Sequence, residues 1–345
     1  MNNIDIFSNN STSKIHIDNS IDLLKELLPN SKVIVIIDET VNCLYSKLFE
    51  EFPVIPIRSE EKEKTLQTVN YIYEKLIELE ADRHSFLLGV GGGIVCDITG
   101  YVASTYMRGI QFGFIATTLM AQVDAAIGGK NGVNFHGYKN IIGTINLPNF
   151  VFCDVRFLTT LPTREFNAGF AEIIKYGLIQ DLSILTDVED NIEKYKNFDL
   201  NAIIQLIIKC ARIKANIVNT DIQEKGIRKI LNFGHTIGHA LEKVSSKYNH
   251  GEAVSIGMMV ALKISQLKGY ISETEISRIV KLLQLYNLPT NIDNKSLTTL
   301  SEAITLDKKR NNNSIDYIIL SKIGKAEVLS IDILELKSNI LIFLK

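Results

Sequence analysis

The chain contains no tryptophan, only six prolines and only four cysteines in 345 residues. Cys43, Cys96, Cys153 and Cys210 are scattered, with no Cys-x-x-Cys pair, so neither a disulfide framework nor a thiolate metal site is indicated. They read as small buried apolar residues in a reducing compartment. Neither sign of charge is in excess. With a formal net charge of -2, nothing suggests a general nucleic-acid binder, so an anionic partner must be met by a local basic cluster. No stretch of about 18 apolar residues occurs, so no membrane span is expected. The polar start, Met1 to Asp5, lacks the basic and apolar regions of a signal peptide. There is no internal repeat and no low-complexity linker. A cytoplasmic protein is the expectation.

What is present is a large apolar fraction, 46%, in a chain long for one core, which predicts two domains. Lys32 to Ile37 reads as a fully buried parallel strand ending at Asp38. Helical spacing follows over residues 62 to 80. A second buried strand, Ser85 to Val90, runs into Gly91-Gly92-Gly93, and Ile94 to Tyr106 reads as a helix. Another strand, Gly113 to Ala116, ends at Thr117-Thr118. Strands alternating with helices predict a doubly wound α/β domain, whose ligands bind at the carboxyl ends of the strands. From Pro162 the texture changes. Helices are predicted over Arg164 to Ile179, Leu200 to Thr220, Leu231 to Ser246, Gly251 to Lys268 and Ser272 to Leu285. Only Tyr317 to Leu320 and Ala326 to Leu329 look β-like, as a small hairpin. The expected division is residues 1–163, an α/β domain with a parallel sheet, and residues 164–345, an all-α domain.

Three of the six histidines fall in Asn232-Phe-Gly-His235-Thr-Ile-Gly-His239 and the nearby His250-Gly251-Glu252. On a helix His235 and His239 share one face, a turn apart. Imidazoles at this density suggest a divalent metal, zinc first; the alternative is a partly buried helix with hydrogen-bonded histidines. The triple glycine after a strand allows close backbone approach, and the helix it opens favours a pyrophosphate. It matches neither the Gly-x-Gly-x-x-Gly fingerprint nor a Walker loop, and a tight strand–helix turn is the plain alternative. Asp124 to Lys130, then Lys139-Asn140, read as a glycine-rich loop. With Arg108, its two lysines have the charge to surround a phosphate or carboxylate, unless they are solvated loop lysines. Glu172 and Lys175 share a helical face among apolar neighbours. A buried Glu172 needs a partner, and a metal is one; an ordinary surface Glu–Lys pair is the alternative.

Taken together, these residues resemble the 3-dehydroquinate synthase family, within the sugar-phosphate cyclase superfamily. The matching segments run in order: Glu61-x-x-Lys64, Gly91-Gly92-Gly93-x-x-x-Asp97, Arg108-Gly, Thr117-Thr118, Asp124-x-x-Ile-Gly-Gly-Lys130, Lys139-Asn140, Glu172-x-x-Lys175, His235-x-x-x-His239, His250-Gly-Glu and Asp307-Lys-Lys. The resemblance implies an NAD-binding α/β domain before a helical metal-binding domain, with the chemistry in the cleft between them. It implies Glu172, His235 and His250 as metal ligands, for zinc or alternatively cobalt. His239 then becomes a substrate-side histidine rather than a second ligand. Asp38, Glu61, Lys64, Gly92, Gly93, Asp97, Thr117, Thr118, Lys130 and Lys139 match the NAD site. Asp124, Lys130, Lys139, Asn140, Lys175, Lys214, Arg228, Asn232, His239 and one of Lys308 or Lys309, taken as Lys309, match substrate contacts. Of these, His239, Lys130, Lys175 and Asn140 carry the catalytic roles. Arg108 matches a residue that reaches the neighbouring subunit's site, which implies a homodimer. Asn131 stands where the family usually has threonine, and Asn311-Asn312-Asn313 replaces a glycine-bearing turn.

The activity so implied is conversion of 3-deoxy-D-arabino-heptulosonate 7-phosphate to 3-dehydroquinate and phosphate, in the shikimate pathway to the aromatic amino acids. It proceeds by transient oxidation, phosphate elimination, re-reduction, ring opening and aldol closure, so NAD is not consumed. Rival readings are a cyclitol-forming cyclase, a metal-dependent polyol dehydrogenase, and a non-catalytic binding protein that keeps the fold. The first typically changes the positions matched by Lys214 and Asn232. The second does not need the Lys130, Lys139-Asn140 cluster.

Overall fold

The computed structural model describes residues 2–8, 11–18, 24–293, 296–300 and 314–343. The chain divides into two compact units, residues 1–161 with 198–223, and residues 162–197 with 224–345.

The first unit is built on a seven-stranded sheet. In chain order its elements are β1 (Asn2–Ser8), β2 (Ser11–Asp18), α1 (Leu24–Leu27), β3 (Val33–Asp38), α2 (Glu39–Tyr45), β4 (Val54–Ile57), α3 (Leu66–Glu78), β5 (Phe86–Gly91), α4 (Gly93–Thr105) and β6 (Gln111–Ala116). A separate hairpin follows, β7 (Lys130–Phe135) with β8 (Tyr138–Ile145), and then β9 (Phe150–Asp154). The sheet order is β1-β2-β9-β6-β5-β3-β4, with every pairing parallel except β1 to β2. Val33–Asp38 is buried at every position, which is why its sequence is a continuous apolar run and not an alternating one. From β3 the chain goes to β4 on one side and returns to β5 on the other. That reversal puts the switch point between the carboxyl ends of β3 and β5, where open α/β sheets take their ligands. Asp38 and Gly91 end those two strands.

After β9 come α5 (Thr163–Ile179), α6 (Leu182–Asp190) and α7 (Ile192–Lys196) of the second unit. The chain then returns to the first unit as α8 (Leu200–Thr220). Asp199 caps α8 by accepting from the amides of Asn201 and Ala202, both at 3.1 Å. The helix packs on β1 and β2, and its Asn219 accepts from the Phe7 amide at 2.7 Å. The single cut at residue 163 therefore does not describe the compact units. Helical spacing identified α8 correctly but carries no signal for which body its apolar face covers.

The second unit continues with α9 (His235–Val244), α10 (His250–Leu267), α11 (Glu273–Leu285), the hairpin β10 (Ser314–Lys322) with β11 (Lys325–Asp332), and a helix over Ile333–Phe343. Phe170 of α5 stacks on Tyr286 with ring centroids 3.9 Å apart. The helix predicted from Leu231 begins only at His235, because Gly234 adopts a left-handed conformation (φ 79) after a 3-10 turn over Ile227–Asn232. No helix among the described residues is long and apolar enough to cross a membrane. Cys96, Cys153 and Cys210 are buried as expected, whereas Cys43 is exposed on α2.

Candidate active site

At the switch point of the first unit, Asp38 caps α2, its Oδ1 accepting from the Val41 amide at 2.9 Å. Gly92 is the N-cap of α4 and Gly93 its first residue, so the amides of that turn open beside Asp38. A β-carbon on Gly91 would sit 2.6 Å from a Val95 methyl carbon, so that turn tolerates no side chain. Thr117 continues from β6 and its amide donates to the Gly91 carbonyl at 2.9 Å. Thr118 Oγ1 accepts from the Ala121 amide at 3.2 Å. Asp38, Gly92, Gly93, Thr117 and Thr118 thus belong to one sheet edge, as the strand pattern predicted.

A second group in this unit is held by ion pairs. Buried Lys64 donates to Asp97 and, at 2.6 Å, to Asn140 Oδ1. Lys139 pairs with Glu61 at 3.2 Å. Asn134, which the sequence reading passed over, organises these residues. It donates from Nδ2 to Glu61 at 2.8 Å, accepts at Oδ1 from the Asn140 amide at 2.9 Å, and donates its own amide to the Lys64 carbonyl at 2.8 Å. Lys214 of α8 donates to the Asp124 carbonyl at 2.7 Å and pairs with its carboxylate at 2.8 Å. Burial pushes the Asp97 carboxyl up, and Lys64 opposes that shift. The expected glycine-rich loop is a wide π-type turn over Ala121–Ala125 followed by the β7–β8 hairpin, and exposed Lys130 is the first residue of β7. Asn131 is buried, its Nδ2 donating to the Gly129 and Asn146 carbonyls, both at 2.9 Å. Arg108 is exposed in a turn where Met107 (φ 48), Arg108 (φ 68) and Gly109 (φ 116) are all left-handed.

In the second unit, Glu172, His235 and His250 converge, with ligand atoms all within 4.8 Å of one another. Close helix packing brings them together. Gly257 of α10 leaves room for the Gly234 carbonyl, which a β-carbon there would approach to 1.9 Å. His250 opens α10 behind a capping box in which Asn249 and Glu252 bond reciprocally, and Glu252 is clamped by Arg164 at 2.6 Å. Glu172 and Lys175 are buried at 0% and 1% exposure, which excludes an ordinary surface pair. The Glu172 carboxylate is shared: Oε2 pairs with Lys175, while Oε1 faces His235 Nε2 at 3.5 Å and His250 Nε2 at 3.4 Å.

The other nitrogen of each ring fixes its orientation. His235 Nδ1 donates to the Phe233 carbonyl at 3.1 Å and His250 Nδ1 to the Glu242 carboxylate at 3.4 Å, since neither oxygen can donate. Both Nε2 atoms thus face Glu172 Oε1, which calls for positive charge among the three groups, as a proton on His250 or as a bound cation. Burial holds the His235 imidazole down to about 3, with Glu172 opposing. Burial also works against charge on His250, but its hydrogen bonds to Glu172 and Glu242 outweigh it and push that ring up to about 10. Two imidazole nitrogens and one carboxylate oxygen, each ring anchored by a second partner, fit a zinc- or cobalt-type cation. Glu242, three residues after His239, was missed because its signal lies in spacing and not in residue type.

His239 is exposed on α9, its ring 5.3 Å from that of His235 and 6.0 Å from that of His250. It is absent from the Glu172–His235–His250 group, so a simple two-ligand His-x-x-x-His does not describe that group. Arg228 is buried, and Asn232 donates to Glu224. Lys308 and Lys309 lie outside the described residues.

A parallel sheet with a phosphate-ready turn at its switch point, joined in one chain to a buried carboxylate–imidazole centre, defines a nucleotide- and metal-using enzyme class. Models of the 3-dehydroquinate synthase N-terminal and C-terminal regions match residues 54–168 and 169–310. A 3-dehydroquinate synthase of Thermoanaerobacter pseudethanolicus is 41% identical over 322 residues, covering 90% of each chain. Among solved structures, a 2-epi-5-epi-valiolone synthase from Streptomyces hygroscopicus with NAD+ and Zn2+ bound superposes at TM-score 0.86, with 24% identity over 98% of each chain. A 2-deoxy-scyllo-inosose synthase complexed with carbaglucose-6-phosphate, NAD+ and Co2+ does so at 0.84, with 26% identity over 98% of this chain and 99% of that one. The chain belongs to the 3-dehydroquinate synthase family.

Proposed function

We propose that the chain converts 3-deoxy-D-arabino-heptulosonate 7-phosphate to 3-dehydroquinate and phosphate, with NAD recycled and a divalent cation, zinc or cobalt, bound by Glu172, His235 and His250. The observation that carries this reading is the convergence of the Nε2 atoms of His235 and His250 on the buried Glu172 carboxylate, all three ligand atoms lying within 4.8 Å of one another. The names of the curated relatives, and the NAD+ and Co2+ in the 2-deoxy-scyllo-inosose synthase complex, support it.

The first unit is then the NAD-binding unit, using Asp38, Glu61, Lys64, Gly92, Gly93, Asp97, Thr117, Thr118, Lys130 and Lys139. Substrate-contact roles are assigned within each unit separately: to Asp124, Lys130, Lys139, Asn140 and Lys214 in the first, and to Lys175, Arg228, Asn232 and His239 in the second. Lys309 completes the set. When bound, the cation polarises the alcohol to be oxidised and the nicotinamide carries the hydride. Lys130 and Arg108 supply charge to the phosphate, and Asn140 a directional hydrogen bond. Lys214, already aimed by Asp124, loses little conformational freedom on meeting a substrate carboxylate or hydroxyl. Buried Lys175 holds the Glu172 carboxylate in one orientation while presenting an ammonium beside it. His239, the exposed imidazole of the group, relays protons. The strained turn at Met107–Arg108 holds Arg108 outward, which suits a homodimer in which it serves the neighbouring copy. We place the protein in the cytoplasm.

The test is purified protein with the heptulosonate phosphate, NAD and zinc. Phosphate and dehydroquinate in equal amounts support the reading. NADH accumulating without phosphate would make the chain a dehydrogenase.

A further inference from the structure

The His250 ring addresses two carboxylates. Its Nε2 faces Glu172 Oε1 and its Nδ1 faces Glu242 Oε1, both at 3.4 Å. On α9, His239 and Glu242 are three residues apart and so share a helical face. Their ligand atoms, with one from His250, all lie within 4.8 Å of one another. This second group is chemically like the first, two imidazoles and a carboxylate. It differs in setting, because His239 is exposed where Glu172 and His235 are buried.

We propose that His239, Glu242 and His250 form a second divalent-cation site, weaker than the Glu172–His235–His250 centre, whose occupation withdraws His239 from turnover. The donor set selects zinc or cobalt over magnesium or calcium, which prefer all-oxygen shells. Three features make it the weaker site. Coordination through Nδ1 displaces the proton that this atom donates to Glu242. A second dication close to the first is repelled by it. The exposed His239 is ordered by the ion, and the buried centre needs no such ordering. The second site rests on the metal reading of the first centre only in sharing His250, while its effect on turnover rests on the proton-relay role proposed for His239.

The experiment is titration of metal-depleted full-length protein with Zn2+, followed by equilibrium dialysis, and with Co2+, followed by visible absorption. Wild type is expected to bind one tight and one weaker equivalent, with phosphate release rising over the first and falling over the second. Glu242→Gln and His239→Asn each keep the tight equivalent, which also reports that they are folded, and lose the weaker one. Glu172→Gln loses the tight equivalent. A wild type with one equivalent only, or a weaker equivalent that persists in both α9 variants, overturns the second site and leaves the first intact. Absence of the tight equivalent from wild type would instead overturn the metal reading under the proposed function.

Discussion

Gly251 lies against Ala168: a β-carbon at 251 would meet the Ala168 carbonyl oxygen at 2.2 Å. Ala168 is one turn before Glu172 on α5, and Gly251 follows His250 at the start of α10. The approach of two backbones therefore sets the separation of two ligands. Gly251→Ala is expected to push α10 away from α5, weakening zinc binding and lowering stability by about 1–3 kcal/mol, the usual range for overpacking. Zinc affinity and thermal unfolding check this. Wild-type zinc affinity in the variant would show that the contact does not position His250.

His239→Ala is expected to retain the tight zinc equivalent and lose most turnover, because His239 lies outside the Glu172–His235–His250 group. Zinc content after dialysis and phosphate release are the two readouts. Loss of the tight zinc would make His239 a ligand of the first centre.

Asn131 departs from the family's usual threonine, and the structure gives it a purpose. Its amide satisfies the carbonyls of Gly129 and Asn146 beneath the β7–β8 hairpin. A β-carbon on Gly100 would come within 1.9 Å of its Oδ1, so Asn131 and Gly100 fit only together. Asn131→Ala leaves two carbonyls without this donor and is expected to destabilise by about 1–3 kcal/mol. Denaturant unfolding checks it, and an unchanged midpoint would contradict it.

His16 is buried on β2, its Nδ1 3.0 Å from Asn3 Oδ1. Burial, with help from Lys14, lowers its ring below the ordinary 6.5, and Asp5 opposes. Because the folded value is depressed, the stability His16 contributes is fully present above 6.5 and is lost as pH falls through the folded value. His16→Leu is expected to flatten the decline of melting temperature on acidification below pH 6.5. The same decline in both proteins would show that other groups carry it.

Much of this was legible in the sequence for identifiable reasons. α8 spans the predicted Leu200–Thr220 because apolar spacing and a capping Asp199 agree on its limits. The triple glycine and Thr117-Thr118 fell at one sheet edge because buried parallel strands announce themselves as apolar runs. The β7–β8 hairpin did not, since Gly132, Gly143 and the flanking lysines look like loop chemistry until β7 is seen paired with β8. β1 and β2, rich in asparagine and serine, were missed for the same reason: an antiparallel edge hairpin needs no continuous apolar run. The first-unit membership of α8 depends on contacts with β1, which no local pattern records. At the site, residue types pointed to a metal, but the rotation of each ring, set by Phe233 and Glu242, exists only in the fold.

The central claim is that one cation is held by Glu172, His235 and His250. Anomalous diffraction at the zinc edge, from crystals of protein loaded with one equivalent, tests it most directly. A single strong peak is expected, bonded to a Glu172 oxygen and to Nε2 of both histidines at about 2.0–2.2 Å. A peak at any other set of residues would contradict it.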